Sequence, residues 1–327
     1  MRSFAKINLG LYIGARRADG FHDLRTVYQT IALHDVIRIG VARGLGIEIA
    51  CDDPRVPRDS SNTCHRMAAL VMEALKARGK VTVEIEKRLP VQGGLGAASS
   101  NAVATLLGME RALKKRLDGA TRLRIAAEVG SDLPLFLLGG TVLGVGRGEE
   151  VFPLPDLPST AMVVVTPEAG VSTPKAFADW DSRTDDRTRA KSGLTQSGAS
   201  DRLIEVGRAM SAWLSGNPNA GAPAEKKSGG RAGSLLSDLV RAGIENDFET
   251  VVFPQFPELR DMKRALVRAG SQYASLSGSG STLYGLFESE KAAVKAAREL
   301  RKQGLKAIAT RTLTRREYCK WSLLGKR

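Results

Sequence analysis

Apolar and polar residues alternate along Ala5–Ile13 and again along Val36–Val41, the period of a strand with one face in a core. Gly46–Ala50 and Lys80–Lys87 read the same way. Between them, Met67, Val71 and Leu75 recur at helical spacing with Ala68 and Met72 beside them. That spacing predicts a helix over Asn62–Lys76 with one buried face and Asn62 as its cap. A strongly apolar helix over Ala97–Leu113 follows, then a shorter one over Thr121–Val129, the turn Gly130–Pro134, and the glycine-punctuated apolar run Leu135–Val145. The β-branched run in Ala161–Thr166 predicts a buried strand. Farther on, Pro257–Ala269 and Glu290–Gln303 predict helices, and Tyr273–Leu276, Thr282–Phe287 and Lys306–Thr312 predict strands. Asp181–Ser200 and Ser215–Ser234 are rich in Ser, Gly, Asp, Arg and Lys, and they flank a short helix over Leu203–Leu214. Such composition is expected of mobile insertions.

A chain of 327 residues with 43% hydrophobic and 26% charged residues can build two ordinary domains. No apolar run approaches the roughly 18 residues needed to cross a bilayer. Met1–Lys6 leads straight into a strand pattern rather than a signal-peptide core, so a cytoplasmic protein without a membrane partner is expected. The 3 cysteines (Cys51, Cys64, Cys319) are odd in number and far apart, which argues against a disulfide framework. His22, His34 and His65 lack metal-ligand spacing, which argues against structural zinc. The net charge of +14 raises the question of nucleic acid. From Glu290 to Arg327, however, twelve Lys and Arg stand against three Glu, without the interleaved aromatics of a stacking platform. A solvated basic face explains this better than nucleic-acid binding does.

One segment carries candidate chemistry. Pro90, then Gly93-Gly94-Leu95-Gly96-Ala97-Ala98-Ser99-Ser100, forms a glycine-rich turn between a predicted strand and the start of an apolar helix. Glycines let main-chain N–H groups approach an anion, and a helix N-terminus adds unsatisfied donors and a positive dipole end. Ser99 or Ser100 could then offer a hydroxyl to phosphate or to a metal ion. The segment is not a P-loop, which needs a lysine before the hydroxyl, nor a dinucleotide fingerprint, which follows the first strand of a βαβ unit.

Three features line up in order: Ala5-Lys6-Ile7-Asn8-Leu9, the glycine-rich turn, and Leu276-Ser277-Gly278-Ser279-Gly280-Ser281. Together they resemble the motifs of the small-molecule kinase superfamily named for galactokinase, homoserine kinase, mevalonate kinase and phosphomevalonate kinase. Arg17-Ala18-Asp19-Gly20-Phe21-His22-Asp23-Leu24, Gly130–Phe136 and Val171–Phe177 narrow the likeness to the branch acting on a cytidine-diphosphate-linked methylerythritol. The turn departs from the branch at Gln92, Ala97 and Ala98, where glycine is common.

The resemblance implies an α+β fold of two domains. Residues 1–157 would form an N-terminal ribosomal-protein-S5-like domain that binds ATP. Residues 158–327 would form a C-terminal ferredoxin-like domain on the substrate side, interrupted near 181–234, with the site in the cleft between the two. It implies ATP and Mg²⁺ as cofactors and a small-molecule cytidine diphosphate alcohol as partner, phosphorylated on its 2-hydroxyl in the non-mevalonate isoprenoid precursor pathway.

Lys6 and Asp132 would form the catalytic pair, and Asn62, Pro90, Gly93, Gly94, Leu95, Gly96, Ala97, Ala98, Ser99 and Ser100 would bind ATP. Asn8, Phe21, His22, Phe177, Gly278 and Ser279 would bind the substrate. Phe21 and Phe177 would stack on the two faces of cytosine, while His22 met its polar edge. Two rivals remain at this stage: another kinase of the superfamily acting on homoserine, mevalonate or a sugar, and a non-catalytic basic protein that binds nucleic acid.

Overall fold

The computed structural model describes residues 1–91, 93–167, 170–190 and 244–322. Among the described residues ten strands form two sheets. The first sheet contains β1 (Arg2–Arg16), β2 (His22–Ala42), β3 (Ile47–Cys51), β4 (Lys80–Glu86), β5 (Thr141–Val145) and β6 (Glu150–Pro153). Its order is β3-β4-β2-β5-β6, with β1 also paired to β2. The second sheet, ordered β10-β7-β9-β8, contains β7 (Ala161–Val165), β8 (Tyr273–Leu276), β9 (Leu283–Phe287) and β10 (Ala307–Arg311), and its pairs are antiparallel. The mixed architecture agrees with the α+β expectation.

Helices cover the outer faces. α1 (Thr63–Ala74) crosses over between the parallel strands β3 and β4, burying Cys64, Met67, Ala68 and Val71. It packs on α2 (Ala97–Leu113), whose buried face includes Val103, Leu106 and Met109. At about 1.5 to 3 kcal/mol for each large apolar side chain, burial rather than local propensity holds these helices in place. α3 (Gly119–Val129) and the single turn α4 (Leu135–Leu138) follow. α5 (Thr173–Ala190) and α6 (Glu249–Gln255) pack together, while α7 (Pro257–Arg268) and α8 (Glu290–Lys302) cover the second sheet.

The two sheets meet through β1, and strand periodicity explains how. Ala5, Ile7 and Leu9 pack against Met162, Val164, Tyr284 and Leu286 of the second sheet. Lys6 and Asn8, pointing the opposite way, are thereby directed into the cleft.

Several elements differ from the sequence reading. β2 is far longer than Val36–Val41, because Thr26–Ile31 is buried on both faces and shows no alternation. Its polar members are satisfied internally: Gln29 donates to the Leu313 carbonyl at 2.8 Å and accepts from Thr141 at 2.7 Å. Residues 181–190 continue helix α5 rather than beginning an insertion. The short helix expected over Leu203–Leu214 lies outside the described residues.

The basic tail is partly structural. α9 (Arg315–Ser322) returns to the first sheet and buries Tyr318, whose hydroxyl donates to the Phe136 carbonyl at 2.6 Å. Lys291, Lys295 and Arg298 on α8 are exposed, as a solvated basic face requires. No helix among the described residues is long and apolar enough to cross a membrane.

The glycine-rich turn is wedged backbone-to-backbone against the 277–282 loop. A Cβ on Gly94 (φ +75°) would lie 2.2 Å from the Ser277 carbonyl oxygen, and one on Gly280 would lie 2.5 Å from the Gly94 nitrogen. Gly94→Ala is therefore expected to destabilise the protein by about 2 to 4 kcal/mol, from overpacking and a disfavoured φ, read as a lower urea midpoint at unchanged slope. A midpoint equal to the parent's would contradict this packing.

Cysteine reactivity gives a second check. Cys51 and Cys64 are buried and Cys319 is exposed; burial, the dominant cause, pushes the Cys64 thiol up to about 12. Titrating the native protein at pH 8 with a chromogenic disulfide should modify Cys319 alone, with the other two reacting only in urea. Because the unfolded thiol ionises near pH ~8.5, the stability that neutral Cys64 lends is present below that value and drains as pH rises toward 12.

Candidate active site

Two cavities share one wall. The first, of about 360 Å³, lies between the start of α1 and the glycine-rich turn and is lined by Asn62, Pro90, Gly93, Leu95, Ala97 and Ala98, among others. The second, of about 660 Å³, lies between β1, β2, α5 and the 277–282 loop. Gly94, Gly96 and Ser99 line both.

The shared wall is built for an anion. Gly96 is the N-cap of α2 in the left-handed conformation (φ +67°) and supplies no side-chain cap. The first amides of α2 therefore keep donors for a ligand beside the cavity. A Cβ on Gly96 would sit 3.0 Å from both Lys6 Cγ and Phe136 Cζ, so glycine lets the turn lie directly on the lysine stem. The Lys6 backbone N–H in turn donates to the Leu95 carbonyl at 3.0 Å. Ser99 faces both cavities. Ser100 does not: it is buried at the β1 side and accepts a 2.6 Å bond from Ser3, which corrects its place as a possible metal-binding hydroxyl.

In the larger cavity, beside the shared wall, Lys6 Nζ lies 3.2 Å from Asp132 Oδ2. Lys6 is 3% exposed, so its charge needs a partner and fixed acceptors. It donates to Asn8 Oδ1 at 2.7 Å; Asn8 Nδ2 donates to Thr26 Oγ1 at 2.7 Å; and the Thr26 hydroxyl donates to the Gly10 carbonyl at 2.7 Å. This relay fixes both ends of the Asn8 amide. Asp132 is aimed into the cleft because its neighbour Leu133 and then Leu135 and Phe136 are buried in the first core.

The Tyr28 hydroxyl donates to Asp132 Oδ1 at 3.0 Å. Burial first, and then the Asp132 carboxylate, hold the Tyr28 phenol well above its ordinary value, so it remains a donor. Sequence reasoning missed Tyr28. The signal was register: Asn8 pairs with Tyr28 across the β1–β2 hairpin, next to Lys6↔Thr30.

In the larger cavity, Phe21 is 51% exposed with the Arg147 guanidinium 5.0 Å from its centroid. Phe177 does not present a free face opposite it. His22 stacks on Phe177 with centroids 5.1 Å apart and planes 10° apart, and Phe248 meets Phe177 edge-on at 4.9 Å. In place of the expected pair of open aromatic planes stands an imidazole–phenyl stack. Gly278 (φ +61°) lies close to Asn8 and Lys6, and Ser279 shares a 2.7 Å hydrogen bond with Thr173.

Asn62 caps α1 by accepting from the Cys64 amide at 2.8 Å, and it donates to the Pro57 carbonyl at 2.6 Å while lining the smaller cavity. Lys87 and Asn101, also missed, line the same cavity and are held by buried Asp35 at 2.7 and 2.9 Å. Among the described residues no cluster of three or more His, Cys, Asp or Glu could hold a metal ion.

Comparison with known proteins fits this geometry. The GHMP kinase N-terminal domain model matches residues 62–140 and the GHMP kinase C-terminal model matches residues 225–306. A 4-diphosphocytidyl-2-C-methyl-D-erythritol kinase of Solibacter usitatus is 38% identical, over 90% of this chain and 83% of its own. One from Acetivibrio thermocellus is 31% identical, over 96% and 98%. Among solved structures, a 4-(cytidine 5'-diphospho)-2C-methyl-D-erythritol kinase superposes with a TM-score of 0.68 at 28% identity, covering 95% of this chain and 98% of that one. A homoserine kinase from Cytophaga hutchinsonii shares the fold, with a TM-score of 0.67 at 20% identity over 94% and 95%. The chain belongs to the GHMP kinase family, among its 4-diphosphocytidyl-2-C-methyl-D-erythritol kinases.

Proposed function

We propose that the protein transfers the γ-phosphoryl group of ATP to the 2-hydroxyl of 4-diphosphocytidyl-2-C-methyl-D-erythritol, a step in making isoprenoid precursors without mevalonate. The observation that carries this reading is the Lys6–Asp132 pair, 3.2 Å apart in the larger cavity beside the glycine-rich turn that both cavities share. One cavity takes the nucleotide, with Asn62 near the base and Pro90 to Ser99 along the phosphates. The other takes the acceptor, with Asn8, Gly278 and Ser279 near the diphosphate and alcohol, and Phe21, His22 and Phe177 at the cytosine. Residues 1–157 then carry the nucleotide and 158–327 close the substrate side. We assign the reaction to the cytoplasm, where ATP is supplied.

The chemistry follows from charge. Phosphoryl transfer asks mainly for positioning and neutralisation. Asp132 accepts the proton of the attacking hydroxyl late in transfer, since an alcohol is a far weaker acid than a carboxyl group. Lys6 has three donors; two are directed at Asn8 and Asp132, and the third faces the oxygen on which charge develops. Tyr28 keeps the Asp132 carboxylate turned toward the cleft. A Mg²⁺ ion bound with the nucleotide would draw charge from the phosphate oxygens, and the Ser99 hydroxyl is the side-chain oxygen at the shared wall that would help to hold it.

The direct test is turnover by the purified protein with ATP and candidate alcohols. ADP formation with the cytidine-bearing alcohol is expected; ADP formation with mevalonate or homoserine instead would overturn the assignment. Asp132→Asn should lower kcat by about 10² or more with ATP affinity retained, and near-normal turnover would remove Asp132 from its role. Replacing Phe177 by Ala should raise KM for the cytidine substrate by about tenfold, because His22 loses the ring that fixes its plane.

A further inference from the structure

Thr173, Phe177 and Asp181 lie four residues apart on α5, so they form one stripe down a single helix face. All three line the larger cavity. Thr173 meets Ser279, Phe177 stacks on His22, and Asp181 Oδ1 lies 2.6 Å from His22 Nε2. Asp181 is itself steadied by Arg16, 3.9 Å away.

His22 is 6% exposed and doubly constrained. The Phe177 stack fixes the plane of its ring, and Phe248, 2% exposed, braces Phe177 from the side. The carboxylate then fixes rotation within that plane. An ionised carboxylate only accepts, so Nε2 carries the hydrogen, and the other ring nitrogen, Nδ1, is an acceptor in the neutral imidazole.

We propose that Asp181 is the positioning residue for base recognition: by holding Nε2–H it presents Nδ1 as an acceptor to the exocyclic amino group of a 4-aminopyrimidine. This rests on the reading above that His22 meets the base edge. Cytosine has that amino group, whereas uracil places a carbonyl oxygen there and leaves two acceptors facing each other. A site that hydrogen-bonds one group discriminates strongly against an analogue unable to supply it. The cytidine preference of the site therefore runs through a residue that need not touch the substrate.

The test compares the full chain with Asp181→Asn, using the cytidine- and uridine-bearing forms of the diphosphate alcohol. The variant should raise KM for the cytidine form about tenfold, leave KM for ATP where it was, and shrink the cytidine-to-uridine ratio of kcat/KM by a similar factor. In a His22→Ala background the same change should add nothing. Nitrogen-15 NMR of His22 in the parent protein should show the Nε2–H tautomer. An unchanged base preference, additive losses in the double variant, or an Nδ1–H tautomer would each overturn the proposal while turnover of the cytidine form still stood. No turnover of that form by the parent protein would instead overturn the substrate assignment, and this inference with it.

Discussion

The site depends on two loops that touch through bare backbone. Gly94 and Gly280 meet where neither can carry a side chain, Ser277 Oγ donates to the Gly94 carbonyl at 2.9 Å, and the Thr282 amide reaches the Gly93 carbonyl at 3.3 Å. One loop leads into α2; the other connects two strands of the second sheet. Their contact fixes Gly94, which lines both cavities. Proximity of two bound reactants can supply several kcal/mol of a transfer barrier without any covalent chemistry from the protein.

β1 brings a buried charge to that contact. One edge of the strand is tied to the turn by the Lys6 amide, and one face is packed on the second sheet by Ala5, Ile7 and Leu9. Alternation then leaves Lys6 and Asn8 nowhere to point except the cleft. A lysine so deeply buried is costly unless its charge is paired and its donors are held, and the relay through Asn8 and Thr26 to the Gly10 carbonyl holds one donor while Asp132 pairs the charge. The same bonds that make the buried charge tolerable also hold it still.

Much of this was legible in the chain. The apolar run of α2 begins at Ala97 as expected, and the strands at Ala161 and Tyr273 begin where their β-branched and aromatic residues do. The motif residues at 93–99, 132 and 278–279 lie at element ends or turns, where sequence carries strong local signals, and Lys6 lies within β1, whose alternation is itself such a signal. What escaped notice lies where local signals fail. Thr26–Ile31 belongs to a strand buried on both faces, so no alternation marks it, and its polar residues are satisfied inside. Asp181 sits in a charged stretch whose composition resembles an insertion, yet α5 runs through it. Tyr318 and Arg315 look like part of a basic tail until Gly139 and Gly140 are seen to receive them without a Cβ in the way.

A structure of the protein with a non-hydrolysable ATP analogue and the cytidine-bearing alcohol bound together tests the central claim most directly. The expected result has the terminal phosphate on the α2 amides beside Gly94 and Gly96, with the 2-hydroxyl within about 3 Å of the Asp132 carboxylate and in line with the phosphorus. A triphosphate lying elsewhere, or an acceptor hydroxyl turned away from both Asp132 and Lys6, would contradict it.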